Sequence, residues 1–181
     1  MIPVEYLWFT LFLVFGIIGM VRGLLKELGV TTVLLLSLFV LKFTWDLLGE
    51  QGTAALAGRA PADTVLVFYY SITILFVAYI SYQGFTLSFP IREMRGVAKA
   101  FLGFPGGLLN GYLIIGTVWD VLNQADYLGM DVPFGTSGAV EISQNLTQFH
   151  NSLAQFLPIT FIDQYLMLVL GMILLVAILL R

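Results

Sequence analysis

Five long apolar stretches dominate the sequence, at residues 6–25, 30–48, 64–89, 97–122 and 161–180. A helix needs about 20 mainly apolar residues to cross a hydrocarbon core roughly 30 Å thick. Inside lipid the backbone polar groups must be satisfied within the segment itself, which a helix does. The expected fold is therefore all-α: a polytopic membrane helix bundle with five transmembrane helices. Composition agrees, since 59% of the 181 residues are hydrophobic and only 10% are charged. A soluble domain carries about 25% charged residues. This chain has too little polar surface to cover a water-soluble globule and too much apolar sequence for disorder. The third stretch is long enough to tilt. Pro105-Gly106-Gly107 interrupts the fourth, so at this point a straight, a kinked and a re-entrant segment all stay open.

The same totals exclude several kinds of chemistry. The chain has no cysteine, so it can form no disulfide, thiolate metal site or thiol nucleophile. His150 is its only histidine, which excludes zinc or haem sites that need several histidines of this chain. No metal site is expected. A formal charge of -3 gives no footprint for a nucleic acid. No nucleophile–base pair, carboxylate couple on one face or phosphate loop is evident, so no catalytic residue and no enzyme activity are expected. The first residues, Met1 to Glu5, lack a basic segment, and the first apolar stretch reads as a retained span.

Short cytoplasmic loops carry the Lys/Arg excess. Arg22, Lys26, Arg92, Arg95, Lys99 and Arg181 fall on one side if the N-terminus is outside. The other side then holds Arg59 with Glu5, Glu50, Asp63, Asp126, Asp131, Glu141 and Asp163. The N-terminus is thus expected outside and the C-terminus in the cytoplasm, which requires an odd number of crossings. The chain divides into a four-span core at 1–125, an outer-side loop at 126–160 and a fifth transmembrane helix at 161–181. The connection at 123–160 contains no Lys or Arg. Within it, Ile142, Leu146, Phe149, Leu153, Phe156 and Leu157 recur at helical spacing before Pro158. They predict an amphipathic surface helix whose polar face is uncharged, suited to the membrane interface or to another protein. Trp8, Trp45 and Trp119 fall near the predicted outer ends, as an interfacial belt would.

Two glycine patterns mark helix packing. Gly19 and Gly23 form a GxxxG step, and Gly103, Gly107 and Gly111 repeat at intervals of four, on one helix face. Small residues let backbones approach in lipid, where the hydrophobic effect cannot drive association. Internal packing and a docking face for a partner subunit are both open readings. Lys42 and Asp46, four apart on the second span, share a face and can pair. An intramembrane charge raises the question of function, set against a Lys42 that snorkels outward and an interfacial Asp46. No other charge reads as buried; Asp120 and Asp163 lie near predicted outer ends. Arg22 and Lys26 read as basic anchors, with Glu27 pointing elsewhere. His150 is a weak candidate for ligating a cofactor, set against a solvated surface histidine. No cofactor is predicted, although lipid, quinone or pigment could pack against the spans without leaving a mark in the sequence.

The order of some of these residues is familiar. Glu5, then Arg22-Gly23 closing the first span, then Glu27 resembles the opening signature of the colicin V production protein (CvpA-like) family. Leu102-Gly103, Gly107 and Asn110-Gly111 resemble a second block of that family, with Asn110 where Arg is usual and Lys99 where an acidic residue often stands. The resemblance covers about the first 125 residues. It implies a bacterial inner-membrane protein linked to colicin V export and envelope upkeep, a family with no established catalytic residue.

Three functions are carried forward. The first is a non-catalytic accessory subunit of a larger inner-membrane complex, photosynthetic or respiratory, with other membrane-protein subunits and the bilayer as partners. The second is a stand-alone CvpA-like factor in toxin export or envelope homeostasis. The third is a small carrier or channel using Lys42 and Asp46.

Overall fold

The computed structural model describes residues 4–57, 61–84, 96–129, 131–132, 140–141 and 152–180. Helix α1 (Val4–Arg22) is followed by α2 (Leu24–Ala57), α3 (Ala62–Gln83) and α4 (Val97–Gln124). A 3-10 turn at Asp126–Gly129 comes next, then a two-residue antiparallel pair of Asp131–Val132 with Val140–Glu141. A short helix α5 (Pro158–Phe161) leads into α6 (Gln164–Leu179). Apart from that pair, the elements among the described residues are helical. Among the described residues, three helical segments are long and apolar enough to cross a membrane: Leu24–Leu48, Ala62–Gln83 and Val97–Gln124. The first and last apolar helices are shorter, at Tyr6–Arg22 and Gln164–Leu179.

The predicted element boundaries shift for identifiable reasons. No loop separates the first two helices. Gly23 alone does, at φ +91°, a left-handed conformation open to glycine because it has no Cβ. Leu25, expected on the first span, therefore belongs to α2. α2 extends past the expected Leu48 to Ala57. α6 starts at Gln164 because Asp163 caps it, its side chain accepting from the Tyr165 N–H at 2.8 Å. Pro105 lies inside α4 without ending it. Its missing N–H and its ring normally disrupt a helix interior, but Pro105 is exposed and Gly106 and Gly107 beside it are packed against other helices. Of the predicted surface helix, residues 142–151 lie outside the described residues, and 152–154 are helical.

α4 is the hub, in contact with α1, α2, α3 and α5, while α6 lies against α2. α1 and α4 run antiparallel, with Gly23 facing Lys99, Gly19 facing Gly103 and Gly107, Phe15 facing Gly111, and Trp8 stacked on Trp119. The backbones nearly touch: a Cβ added to Gly107 would sit 2.9 Å from the Gly19 Cα. α2 and α3 are antiparallel too, since Trp45 meets Tyr69 and Tyr70 while Tyr82 reaches Glu27. Gly171 of α6 packs on Leu35 and Leu36, and Ile178 on Leu25. The core is a cluster along α2, α3 and α4 that includes Val30, Leu34, Leu38, Ile74, Leu113, Ile114 and Trp119.

Candidate functional site

The glycine-mediated approach of α1 and α4 brings polar groups from four helices to one point. Glu27, in the first turn of α2, is fully buried. Its Oε1 pairs with Arg22 Nε at 2.9 Å. Its Oε2 accepts from the Tyr82 hydroxyl of α3 and from Asn110 Nδ2 of α4, each at 2.8 Å. The same Asn110 amide donates to the Glu27 carbonyl at 3.0 Å. Thr31, one turn along α2, donates to Asn110 Oδ1 at 2.7 Å and lies 2.9 Å from the Glu27 carbonyl. Arg22 is anchored from a second direction: its Nη1 donates to the Tyr82 carbonyl at 3.0 Å, and its guanidinium lies 4.5 Å from the centre of the Tyr82 ring. A buried charge is tolerable only when paired and hydrogen-bonded. Glu27 meets both conditions, and its partners tie α2 to α1, α3 and α4.

The sequence spacing predicts that Glu27 points away from Arg22, and the structure corrects this. A five-residue step on an unbroken helix separates two side chains by about 140° around the axis. The left-handed Gly23 between them redirects α2, and the two side chains meet. Tyr82 and Asn110 were not anticipated as partners. The only advance signal was the coincidence of Arg22, Gly23, Glu27 and Asn110 in the two motif blocks. The side chain of Glu5, the remaining motif residue, lies outside the described residues.

A second buried cluster sits at the other end of α4. Asp120 is 1% exposed, which corrects the expectation that no further charge is buried. Its Oδ2 accepts from the backbone N–H groups of Ile159 and Thr160 at 2.8 and 2.9 Å. Its Oδ1 accepts from the Thr160 hydroxyl and from Gln124 Nε2, both at 2.8 Å. Pro158 supplies no N–H, and Ile159 and Thr160 are the next donors of the opening turn of α5. Asp120 thus caps α5 from another helix, as a local N-cap residue otherwise would. Lys42 closes the cluster, with Nζ donating to the Ile159 carbonyl at 3.0 Å. Tyr112 adds a bond from its hydroxyl to the Phe156 carbonyl at 2.7 Å.

Lys42 and Asp46 are therefore not brought together. Lys42 turns to the chain at Ile159, Asp46 is exposed, and no ion pair joins them among the described residues. The five glycines do converge: Gly19, Gly103, Gly107 and Gly111 line the contact of α1 with α4, and Gly23 lies against the Lys99 side chain. Trp8, Phe12, Trp119 and Tyr127 gather beside the Asp120 cluster, where the Trp119 indole N–H donates to the Tyr127 hydroxyl at 3.1 Å. His150 lies outside the described residues. Comparison with known proteins gives no match to a family model, a curated protein or a solved structure.

Proposed function

We propose that this chain is a non-catalytic integral membrane protein of a bacterial inner membrane, acting as an accessory subunit of a larger complex. In this reading five helices cross the bilayer as a bundle, with the N-terminus outside and the C-terminus in the cytoplasm. The observation that carries the functional part is the way the buried and half-buried charges are used. Glu27 binds side chains of α1, α3 and α4, Asp120 binds the turn at α5, and Lys42 binds Ile159. Each joins one helix of this chain to another, which is what a scaffold needs. A transport pathway would instead line such groups along a route that a solute can enter. The antiparallel contacts of α1 with α4 and of α2 with α3 support alternate crossings.

Solubilisation in mild detergent tests the reading. Co-migration with a stoichiometric set of other membrane subunits is the expected result, and a lone monomer or homodimer would contradict it. The stand-alone CvpA-like factor is the second reading. It is favoured by the meeting of Arg22, Gly23, Glu27 and Asn110, from two sequence blocks, at one cluster. A carrier built on Lys42 and Asp46 has less support, because Lys42 is held by the Ile159 carbonyl while Asp46 is exposed.

A further inference from the structure

Where α1 gives way to α2 the surface forms a small cleft, part of it open to the outside. Three of the side chains lining it are cationic, Arg22, Lys26 and Lys99, and three are leucines, Leu24, Leu25 and Leu102. No acidic side chain is among its described lining residues. Glu27 lies behind it, paired with Arg22. Arg22 cannot swing away, because Glu27 and the Tyr82 carbonyl hold its guanidinium. Lys99 runs across Gly23, where a Cβ would meet its Cε at 2.9 Å. A side chain at position 23 would therefore displace Lys99.

Three apolar helices end or begin here: α1 ends at Arg22, α2 starts at Leu24, and α4 starts two residues before Lys99. In a bilayer that is the level at which apolar tails give way to headgroups. A free phosphate would use the cations alone. An anionic phospholipid uses both halves of the lining, and basic pockets between helices are the sequence-readable mark of such recognition. We infer that this cleft binds an anionic phospholipid, its phosphate between Arg22, Lys26 and Lys99 and an acyl chain along the leucines. The inference rests on the membrane reading but not on the subunit reading, so the absence of a larger complex leaves it intact.

The test uses the full chain purified in mild detergent, with phosphatidylglycerol and phosphatidylcholine of identical chains as probes and native mass spectrometry as the readout. Phosphatidylglycerol is expected to stay bound through delipidation that strips phosphatidylcholine. Lys26→Gln and Lys99→Gln should each weaken retention about fivefold, the attraction of one basic residue for an anionic leaflet. Lys26→Arg with Lys99→Arg should retain it. Equal retention of the two lipids by the unaltered chain overturns the inference, and that comparison needs no variant to fold. Undiminished phosphatidylglycerol binding by a folded Lys26→Gln/Lys99→Gln chain overturns it as well. So does complete displacement of the lipid by inorganic phosphate, which would make this a site for a soluble anion.

Discussion

Five positions separate Arg22 from Glu27, and on a continuous helix they would look in different directions. The single left-handed torsion at Gly23 turns this spacing into a buried ion pair. A sequence shows a glycine but not the sign of its φ, so the residues of the cluster were visible while their meeting was not. Removing one member strands the other. Arg22→Ala leaves a fully buried carboxylate with only the neutral donors Tyr82 and Asn110, at an expected cost of about 3 kcal/mol. Adding Glu27→Gln to that variant should restore part of the loss, because an amide does not carry the stranded charge. Equilibrium unfolding in mixed detergent measures both, and a double variant less stable than Arg22→Ala would contradict the pairing. The burial of Asp120 escapes the sequence for a related reason: two of its four donors are backbone N–H groups 39 and 40 residues away, which leave no trace in side-chain chemistry.

At the scale of elements the glycine periodicity was informative, because a repeat of four on a helix has one geometric meaning. Gly103, Gly107 and Gly111 lie on the face of α4 that meets α1. What each glycine faces was not readable, and the neighbour sets the cost of replacing it. At Gly19 a Cβ would run into the Gly103 carbonyl and the Gly107 backbone. At Gly16 it would meet the Phe104 ring and Leu108, side chains able to turn aside. Gly19→Ala should therefore destabilise by about 3 kcal/mol and Gly16→Ala by about 1, the two ends of the overpacking range. Equal losses in the same unfolding assay would rule out backbone contact between α1 and α4. The capped turn at α5 belongs to this scale too. Asp120→Ala should cost about 2 kcal/mol, the upper end for a cap, and should speed amide exchange at Ile159 and Thr160 more than in the middle of α4. Unchanged exchange at those two amides would show that Asp120 does not hold the turn.

For the molecule as a whole, the apolar stretches made the all-helical class legible, because in lipid few other structures satisfy the backbone. The helix ends were less legible. Gly23 alone separates α1 from α2 where the apolar pattern predicts a loop, and α6 begins three residues late at the Asp163 cap. The central claim is that the chain crosses the bilayer an odd number of times with its basic ends inward. The absence of cysteine allows a direct measurement: single cysteines at Ala62, Met94, Ser137 and Leu180, probed in intact cells with a membrane-impermeant thiol reagent. Ala62→Cys and Ser137→Cys should label, while Met94→Cys and Leu180→Cys should label only after the membrane is opened. Labelling of Met94→Cys or Leu180→Cys in intact cells, alongside Ala62→Cys, would contradict the account.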